Sequence, residues 1–457
     1  MSSSNRVLLG IKELDQLLKP GLVKGSVVLI AGHPGVGKTT FAAQVVRNHI
    51  ELYNRKALMI SFAENKEDFY TYMNTLGFNF KDYEKTGKFK FVSLLTISDI
   101  DLTNKIVEAL MEFIEEYTPN IVVIDGFTAL VKIMRPSQLR AFLHSTLIPI
   151  LKENSDLSLL ISDLPIGGEI VGYGIEEFIV DVVILMKLVK NGPVYERIME
   201  FRKARGAPLR NITVPYVIKP NIGIKPLLVI LDKKKQARYV KFNMGLPEEP
   251  IGEIPCNTQL LITGPSGAGK SVLVAHITSM LAKNGCRIAY ISLDETSEMV
   301  VNRFASLGYK DVYEMISVKT IDVNMYTLSE TVYEIFKFIE EEQPDVVVID
   351  GIRVLQKLSN EELFWRELVR ITTTLRKMNI MGIYVYTGSY PEEKIPIDTL
   401  VDIIVIARHE IRDNKVERTI IIWKNRFGPT PSERMRVIIE YGKGIKIKGV
   451  EKCGRND

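Results

Sequence analysis

Two glycine-rich segments of the chain carry the residue types that bind the phosphates of a nucleotide. Residues 32–40 read GHPGVGKTT and residues 264–272 read GPSGAGKSV, so both fit the P-loop pattern G-x4-G-K-[ST] in full. The glycines let backbone N–H groups wrap the phosphates, the lysine reaches the β- and γ-phosphates, and the next hydroxyl binds Mg²⁺. The predicted nucleotide-binding residues are Gly32, Gly35, Gly37, Lys38, Thr39, Thr40, Gly264, Gly267, Gly269, Lys270, Ser271 and Val272. Two complete motifs therefore predict two ATP sites, rather than two glycine-rich turns without a nucleotide.

An aspartate at the end of an apolar run follows each P-loop. The runs IVVID and VVVID end at Asp125 and Asp350, which follow the loop lysines by 87 and 80 residues. A carboxylate at this place can orient the water of a bound Mg²⁺, the Walker B role. A lone aspartate after four aliphatic residues is usually only a strand-end residue, but the preceding P-loop favours the metal role. The predicted metal-binding residues are Thr39, Asp125, Ser271 and Asp350.

These motifs are parts of an internal repeat. FIVDVVIL in the first half recurs as LVDIIVI in the second, and FRKARG recurs as WKNRFG, in the same order as the P-loops and Walker B runs. Four matches in register predict two tandem copies of one domain, residues 1–231 and 232–457, the second ending in a short basic tail. We interpret the charged segment that begins at Leu231 as a linker; a basic binding patch is the alternative.

Each copy alternates strand-like and helix-like segments, which predicts a mostly parallel sheet covered by helices on both faces. The strands predicted in the first copy are Ser26–Ala31, Ala57–Phe62, Ile121–Ile124, Leu157–Ser162, Val180–Leu188 and Glu196–Arg202. The predicted helices are Lys38–Glu51, Ile106–Glu116 and Leu139–Glu153. The later strands of both copies, including Ile403–Ile411 and Val416–Trp423, are expected to extend the sheet as antiparallel hairpins.

Composition narrows the class of protein. The 457 residues are 46% apolar and 25% charged, which are ordinary globular values, and the net charge of +4 is too small to indicate nucleic-acid binding by itself. Three scattered cysteines exclude a disulfide-stapled scaffold and are typical of a reducing compartment. The N-terminus lacks an apolar signal segment, and the apolar runs are too short for a membrane span. We therefore expect a cytoplasmic protein without membrane contact.

The longer segments around these motifs resemble the KaiC family of ATPases in the RecA/RadA superfamily. In the first copy the resemblance is carried by LGIKELDQLLKPGLVKGSVVLIAGHPGVGKTT, YGIEEFIVDVVIL, FRKARG and GIKPL. In the second it is carried by the P-loop, ISLDE, VVVIDG, LVDIIVIA and KNRFG, although the LGIKELDQLL segment has no counterpart. The resemblance implies an α/β fold with two tandem RecA-like P-loop NTPase domains, each a mostly parallel twisted sheet flanked by helices. It also implies a homo-oligomer, a hexameric ring with ATP at the subunit interfaces.

A Lys-x-Arg motif reaches the neighbouring subunit's ATP in proteins of this family. The resemblance assigns that role to Lys203 and Arg205 in the first copy, and to Lys424 and Arg426 in the second. The chemistry agrees, because charge on a transferring phosphoryl group needs cationic donors and alternate strand residues share one face. A solvated strand face is the alternative.

Family members carry paired carboxylates after the second strand of the sheet, and the first of them polarises the attacking water. Here the first copy has Ala63 at that position followed by Glu64, and the second has Asp294 followed by Glu295. The resemblance makes Glu64, Asp294 and Glu295 the candidate catalytic carboxylates. Because the first position is an alanine or a shortened side chain, we expect slow hydrolysis, carried mainly by the second copy.

The resemblance leads to a slow ATPase that works as a nucleotide-driven switch and signals through protein partners. In one member of the family an adjacent Ser-Thr pair is autophosphorylated, and Asp398 and Thr399 align with that pair. Only Thr399 keeps a hydroxyl, and a plain strand-entry residue is the favoured interpretation. One alternative is a RadA-like DNA recombination or repair protein, which is not favoured because no DNA-binding module is recognised. The other is an ATP-bound scaffold with little turnover.

Overall fold

The computed structural model describes residues 5–94, 102–165, 168, 174–191, 194–207, 212–229, 231, 234–242, 251–412, 414–430 and 433–449. The chain divides into two compact units: Met1–Lys190 with Tyr195–Leu228, and Asn191–Val194 with Val229–Asp457. Residue 232, the predicted start of the second domain, lies outside the described residues, so that boundary stays a prediction. Residues 450–457 of the predicted basic tail also lie outside them.

The described part of the first unit is built from strands and helices in alternation. Its strands are β1 (Arg6–Val7), β2 (Leu22–Val23), β3 (Ser26–Gly32), β4 (Ala57–Ser61), β5 (Phe89–Ser93), β6 (Ile121–Asp125), β7 (Leu157–Asp163), β8 (Val182–Asn191), β9 (Val194–Ala204), β10 (Ile212–Lys219) and β11 (Gly223–Pro226). Its helices are α1 (Lys12–Leu17), α2 (Lys38–Tyr53), α3 (Lys66–Thr75), α4 (Phe80–Lys85), α5 (Leu102–Tyr117), α6 (Phe127–Ile133), α7 (Pro136–Phe142), α8 (Ile148–Asn154) and α9 (Ile175–Ile179).

The second unit repeats the pattern. Its strands are β12 (Tyr239–Phe242), β13 (Gly252–Pro255), β14 (Gln259–Gly264), β15 (Ile288–Ser292), β16 (Ile316–Thr320), β17 (Val346–Asp350), β18 (Met381–Thr387), β19 (Ile403–Arg412), β20 (Lys415–Asn425), β21 (Met435–Glu440) and β22 (Gly444–Gly449). Its helices are α10 (Lys270–Lys283), α11 (Ser297–Ser306), α12 (Lys310–Tyr313), α13 (Leu328–Glu342), α14 (Arg353–Gln356) and α15 (Glu361–Lys377), with a 3₁₀ turn at Val323–Met325.

The two units share one sheet topology. Over the described residues the first sheet has nine strands in the order β11-β10-β9-β8-β3-β7-β6-β4-β5, and the second has the same order, β22-β21-β20-β19-β14-β18-β17-β15-β16. The strands from β8 to β5 pair in parallel, as do their counterparts, whereas β19–β20 and β9–β10 pair antiparallel. The α/β fold with two tandem, mostly parallel sheets is thereby confirmed.

Both faces of each sheet are buried, which explains the continuous aliphatic runs in the sequence. In β3, Val28 and Ile30 belong to one hydrophobic cluster, and Val27 and Leu29 belong to another on the opposite face. Among the described helices, none is long and apolar enough to cross a bilayer.

One predicted helix has a different form. The segment expected to be helical over Leu139–Glu153 begins earlier, at Pro136, and contains a π-helical turn at Leu143–Leu147 before α8. Pro149 lies at the start of α8 and has no N–H to donate to the preceding turn, so the helix widens there.

The last residue of β14 approaches its neighbour too closely for any side chain. A Cβ added to Gly264, whose φ is +148°, would lie 2.0 Å from the carbonyl oxygen of Ala407 in β19. We expect Gly264→Ala to lower the free energy of unfolding by about 3 kcal/mol or more, because the two strands must separate. Gly285→Ala is the control: its φ is +82° with no atom within 4 Å, and it should cost about 1 kcal/mol. Equal losses in urea unfolding would contradict this prediction.

Candidate active sites

The first P-loop connects the carboxyl end of β3 to the first turn of α2. Gly35 and Gly37 have φ values of +73° and +94°, which a residue with a side chain rarely adopts, and Gly37 caps the helix that begins at Lys38. Free backbone N–H groups and the positive end of the helix dipole meet at this turn. In the second unit, Gly269 caps α10 in the same way, with a φ of +88°. Both turns are therefore shaped to receive an anion.

The two loop lysines are buried and turned back toward their loops. The Nζ atom of Lys38 donates to the carbonyl oxygens of Gly32 and His33, each at 3.0 Å. The Nζ atom of Lys270 donates to the carbonyl oxygen of Pro265 at 2.9 Å. Each ammonium group thus lies over its loop, where the pattern predicts contact with the β- and γ-phosphates. Thr40 and Val272 lie half-buried in the first turns of α2 and α10.

The hydroxyl after the first loop lysine meets the predicted Walker B carboxylate. Thr39 Oγ1 donates to Asp125 Oδ2 at 2.9 Å, and the N–H of Gly126 donates to Asp125 Oδ1 at 2.7 Å. Burial raises the pKa of Asp125, and the bond from Thr39 opposes the shift. A hydroxyl and a carboxylate are the hard oxygen donors that Mg²⁺ uses beside waters and substrate phosphates, so the pair fits that ion.

The second Walker B carboxylate has different neighbours. Tyr290 donates its hydroxyl to Asp350 Oδ2 at 2.6 Å, and Ser271 also hydrogen-bonds Asp350. The Arg303 guanidinium lies 3.6 Å from Asp350 and forms an ion pair with Glu295. Burial raises the pKa of Asp350, while Tyr290 and Arg303 lower it. The hydroxyl–carboxylate pair again fits Mg²⁺, with an arginine and a tyrosine added around it.

The candidate catalytic carboxylates lie just beyond the ends of β4 and β15. The chain leaves the strand at Ser61, so Glu64 is not forced to the opposite face, and burial together with Asp125 raises its pKa to about 7. Burial, Asp350 and Glu295 raise the pKa of Asp294 to about 6. The charge of the Walker B aspartate therefore raises the pKa of the candidate carboxylate in both units.

The Lys-x-Arg pairs are held far from the P-loops of their own units. Lys203 Nζ donates to the carbonyl oxygens of Glu177 and Phe178, both at 2.9 Å, and Arg205 donates to Phe178 at 3.2 Å and pairs with Asp181 at 3.7 Å. Asp181 immediately precedes β8 and accepts the N–H of Val27, at the start of β3, whereas the P-loop follows the other end of that strand.

The second pair repeats this arrangement. Lys424 donates to the carbonyl oxygens of Asp398 and Val401 at 3.0 and 2.7 Å, and Arg426 pairs with Asp402 at 3.1 Å. Thr399 lies between these two carbonyls, in a turn that leaves its side chain exposed.

Two arginines at equivalent positions of the repeat, Arg197 and Arg418, were not singled out in the sequence. Arg197 and Arg418 each precede the lysine of the Lys-x-Arg motif by six residues, so the repeat itself contains the signal. Within the described part of the chain, the Nε atom of each is buried and has no hydrogen-bond partner. A Cβ on Gly269 would lie 3.4 Å from Arg418, so this guanidinium packs on the loop. An unpartnered cationic donor at the loop fits a phosphate ligand.

Sequence reasoning also missed two groups that only the tertiary structure brings to the sites. Asp163, the last residue of β7, forms an ion pair with Lys38 at 3.0 Å. Arg303 lies nine residues after Asp294 on α11, and its side chain turns back to the carboxylates after β15. No local motif marks either residue.

Comparison with known proteins gives matches along both units. A family model described as the KaiC ATPase matches residues 7–229 and again residues 242–452. The circadian clock oscillator protein KaiC of Thermostichus vulcanus is 24% identical over 460 residues, 96% of this chain and 88% of that protein. The circadian clock protein KaiC3 of Synechocystis sp. is 23% identical over 444 residues, 91% of this chain and 86% of that protein. The similarity therefore covers the tandem arrangement as a whole.

The raised pKa of Asp294 predicts a pH dependence for the second site. A carboxylate that orients the attacking water must be ionised, and a pKa of about 6 leaves Asp294 protonated below that value. Turnover in a Lys38→Ala protein, in which only the second P-loop is intact, should rise with pH to a plateau, with a midpoint near pH 6. Asp294→Asn in the same background should remove this transition. A transition that survives the substitution would belong to another group.

Proposed function

The chain belongs to the KaiC ATPase family, and on that premise we propose that it is an oligomeric ATPase whose subunits complete each other's sites. Each chain binds two ATP–Mg²⁺ complexes at its P-loops and hydrolyses them slowly. The observation that carries the proposal is the position of the Lys-x-Arg pairs. They are bonded near the amino ends of β3 and β14, whereas the P-loops follow the carboxyl ends of these strands.

In the first unit, the length of β3 separates Arg205 from the P-loop. Arg205 pairs with Asp181, and the Asp181 carboxylate accepts the N–H of Val27 at 3.1 Å. Val27 and Gly32 are five residues apart on β3, which corresponds to about 17 Å along a parallel strand. A lysine or arginine side chain that is already bonded at one end of this strand does not span that length.

In the second unit, the length of β14 separates Arg426 from the P-loop in the same way. Arg426 and Arg376 both pair with Asp402, at 3.1 and 2.8 Å, and Asp402 accepts the N–H of Gln259 at 2.9 Å. Gln259 begins β14 and Gly264 ends it, so the same five-residue separation lies between the arginine and the P-loop. The recurrence supports a common role in trans.

Such an arrangement links hydrolysis to assembly. A cation donated by the neighbouring subunit stabilises the charge that develops on the transferring phosphoryl group, so an isolated chain hydrolyses ATP poorly. A closed ring, with six subunits as the family resemblance implies, gives every site a donor. The nucleotide state of the ring is then a signal that protein partners read, which makes the protein a switch.

Autophosphorylation at Thr399 is a second candidate activity. Thr399 is exposed and lies between Asp398 and Val401, whose carbonyl oxygens hold Lys424. If Lys424 reaches the neighbour's ATP, the Thr399 hydroxyl is brought to the same phosphates. Incubation with γ-labelled ATP should then label wild-type protein and leave Thr399→Ala unlabelled.

Mixed rings test the shared site directly. Arg205→Ala removes the donated cation and Lys38→Ala removes the phosphate contact, so each variant alone should lose most first-site turnover, while Arg205→Ala should retain ATP affinity. In mixed assemblies some interfaces combine an intact P-loop with an intact arginine. We therefore expect the mixture to exceed the sum of the separate activities.

Arg408→Ala is the matched control for this experiment. Arg408 pairs with Glu392 in the second unit at 3.0 Å, and its loss should not complement Lys38→Ala in this way. Strictly additive turnover in the mixture of Arg205→Ala and Lys38→Ala, with assembly confirmed by native mass, would mean that the arginine acts within its own chain.

A further inference from the structure

The first site contains an acidic side chain at its phosphate end that none of the motifs includes. Asp163 ends β7, in register with Gly32 at the end of β3, and its carboxylate lies 3.0 Å from Lys38 Nζ. Its charge also contributes to the raised pKa of Asp125. Asp163 therefore lies near both the phosphate-binding lysine and the Walker B carboxylate.

The backbone holds Asp163 firmly while its side chain remains accessible. Its N–H donates to Thr128 Oγ1 at 2.6 Å, and the next N–H, that of Leu164, donates to the carbonyl oxygen of Gly32 at 2.9 Å. The side chain is 63% exposed, in contrast to that of Lys38, which is 9% exposed. A fixed backbone with a solvent-accessible carboxylate is the arrangement that a water-orienting group needs.

The second unit places its carboxylate on another strand. In the β14–β18 register Gly264 pairs with Thr387, so Thr387 occupies the position of Asp163. After β15 the second unit has Asp294, whereas the first has Ala63 at the same place after β4. Asp294 acts electrostatically on Lys270, as Asp163 pairs with Lys38. Besides its Walker B aspartate, each unit thus has a further carboxylate near its loop lysine, and the two units supply it from different strands.

We propose that Asp163 is the catalytic residue that orients the attacking water in the first unit, in place of the carboxylate missing at Ala63. This inference rests on the proposed ATPase function. The water oxygen forms a bond to the γ-phosphorus, the bond from the γ-phosphorus to the bridging oxygen breaks, and ADP leaves with that oxygen. The proton lost by the water passes through the Asp163 carboxylate to the phosphate product.

Glu64 is the competing carboxylate, and its surroundings make it less suitable. It is near Asp125 and Asp68, whose charges add to the effect of burial and raise its pKa to about 7. A pKa near neutral pH suits a general base, so Glu64 differs from Asp163 in position rather than in basicity. The charges that act on Glu64 come from other carboxylates, not from the lysine that the P-loop pattern places at the γ-phosphate. Asp163 instead has the Lys38 ammonium as its neighbour.

The first experiment isolates the first site in a Lys270→Ala protein. Adding Asp163→Asn should lower turnover about 100-fold or more, the usual contribution of a general base, while the affinity for a fluorescent ATP analogue stays equal or increases. Asp82→Asn, which removes an exposed charge from the same unit, should change neither value.

This experiment distinguishes a failure of the role proposed for Asp163 from a failure of the proposed ATPase function. Unchanged or faster turnover with tighter nucleotide binding would make Asp163 only a counter-ion of Lys38, and the inference would be wrong. An absence of hydrolysis in the unmodified protein would instead overturn the proposed ATPase function itself.

The second experiment transplants the arrangement into the second unit. In a Lys38→Ala protein, Asp294→Ala should slow turnover. Adding Thr387→Asp should then raise turnover at least tenfold above that of the Asp294→Ala variant. Thr387→Asn in the same background is the neutral control and should recover nothing. A double variant that does no better than this control would contradict the claim that the β7 and β18 strand ends can supply the carboxylate.

Discussion

The parallel direction of β3, β6 and β7 decides where the charged groups of the first candidate site lie. All three strands end at the same edge of the sheet, so the P-loop, Asp125 and Asp163 follow one another there. The Lys203–Arg205 pair lies at the opposite end, bonded to carbonyl oxygens of α9 and to Asp181, just before β8. A hydrogen-bonded strand cannot shorten, so no rotamer change brings Arg205 to Lys38 of the same unit. Strand direction thus places the P-loop and the proposed cation donors at opposite ends of the sheet, which is the basis of the shared site proposed above.

The two units share one topology but stabilise the buried charge of the Walker B aspartate with different neighbours. A Walker B aspartate must be buried beside a phosphate, and burial alone disfavours its charge. In the first unit Asp125 accepts hydrogen bonds from Thr39 and the backbone of Gly126, and the charge of Lys38 also lowers its pKa. In the second, a fully buried tyrosine hydroxyl and the nearby Arg303 share the task. The fixed cation of the second unit also pairs with Glu295, so it limits the freedom of that carboxylate.

Much of the architecture could be predicted because local sequence patterns determine it. The P-loops and aliphatic runs predicted β3, β6 and α2 to within a few residues, and the repeat predicted two copies of one fold. The π turn before α8 was not foreseen, since hydrophobic periodicity does not show the effect of Pro149, which has no N–H to donate to the preceding turn. Asp163 and Arg303 could not be found either, because their contacts depend on strand register and on the rotation of a helix rather than on spacing along the chain.

The residue after each Walker B aspartate is a glycine, and in both units it leaves space for the side chain that follows the neighbouring strand. Gly351 has a φ of +85°, and a Cβ there would lie 2.6 Å from the carboxyl carbon of Asp294, so this carboxylate occupies space that only a glycine leaves free. In the first unit a Cβ on Gly126 would lie 3.1 Å from the Cβ of Ala63, so the same space is partly filled by a methyl group. A carboxylate at both the Ala63 and the Asp163 positions would add another negative charge around a single loop lysine. Like charges around one site disfavour each other, so a carboxylate at one of these strand ends reduces the benefit of a second carboxylate at the other.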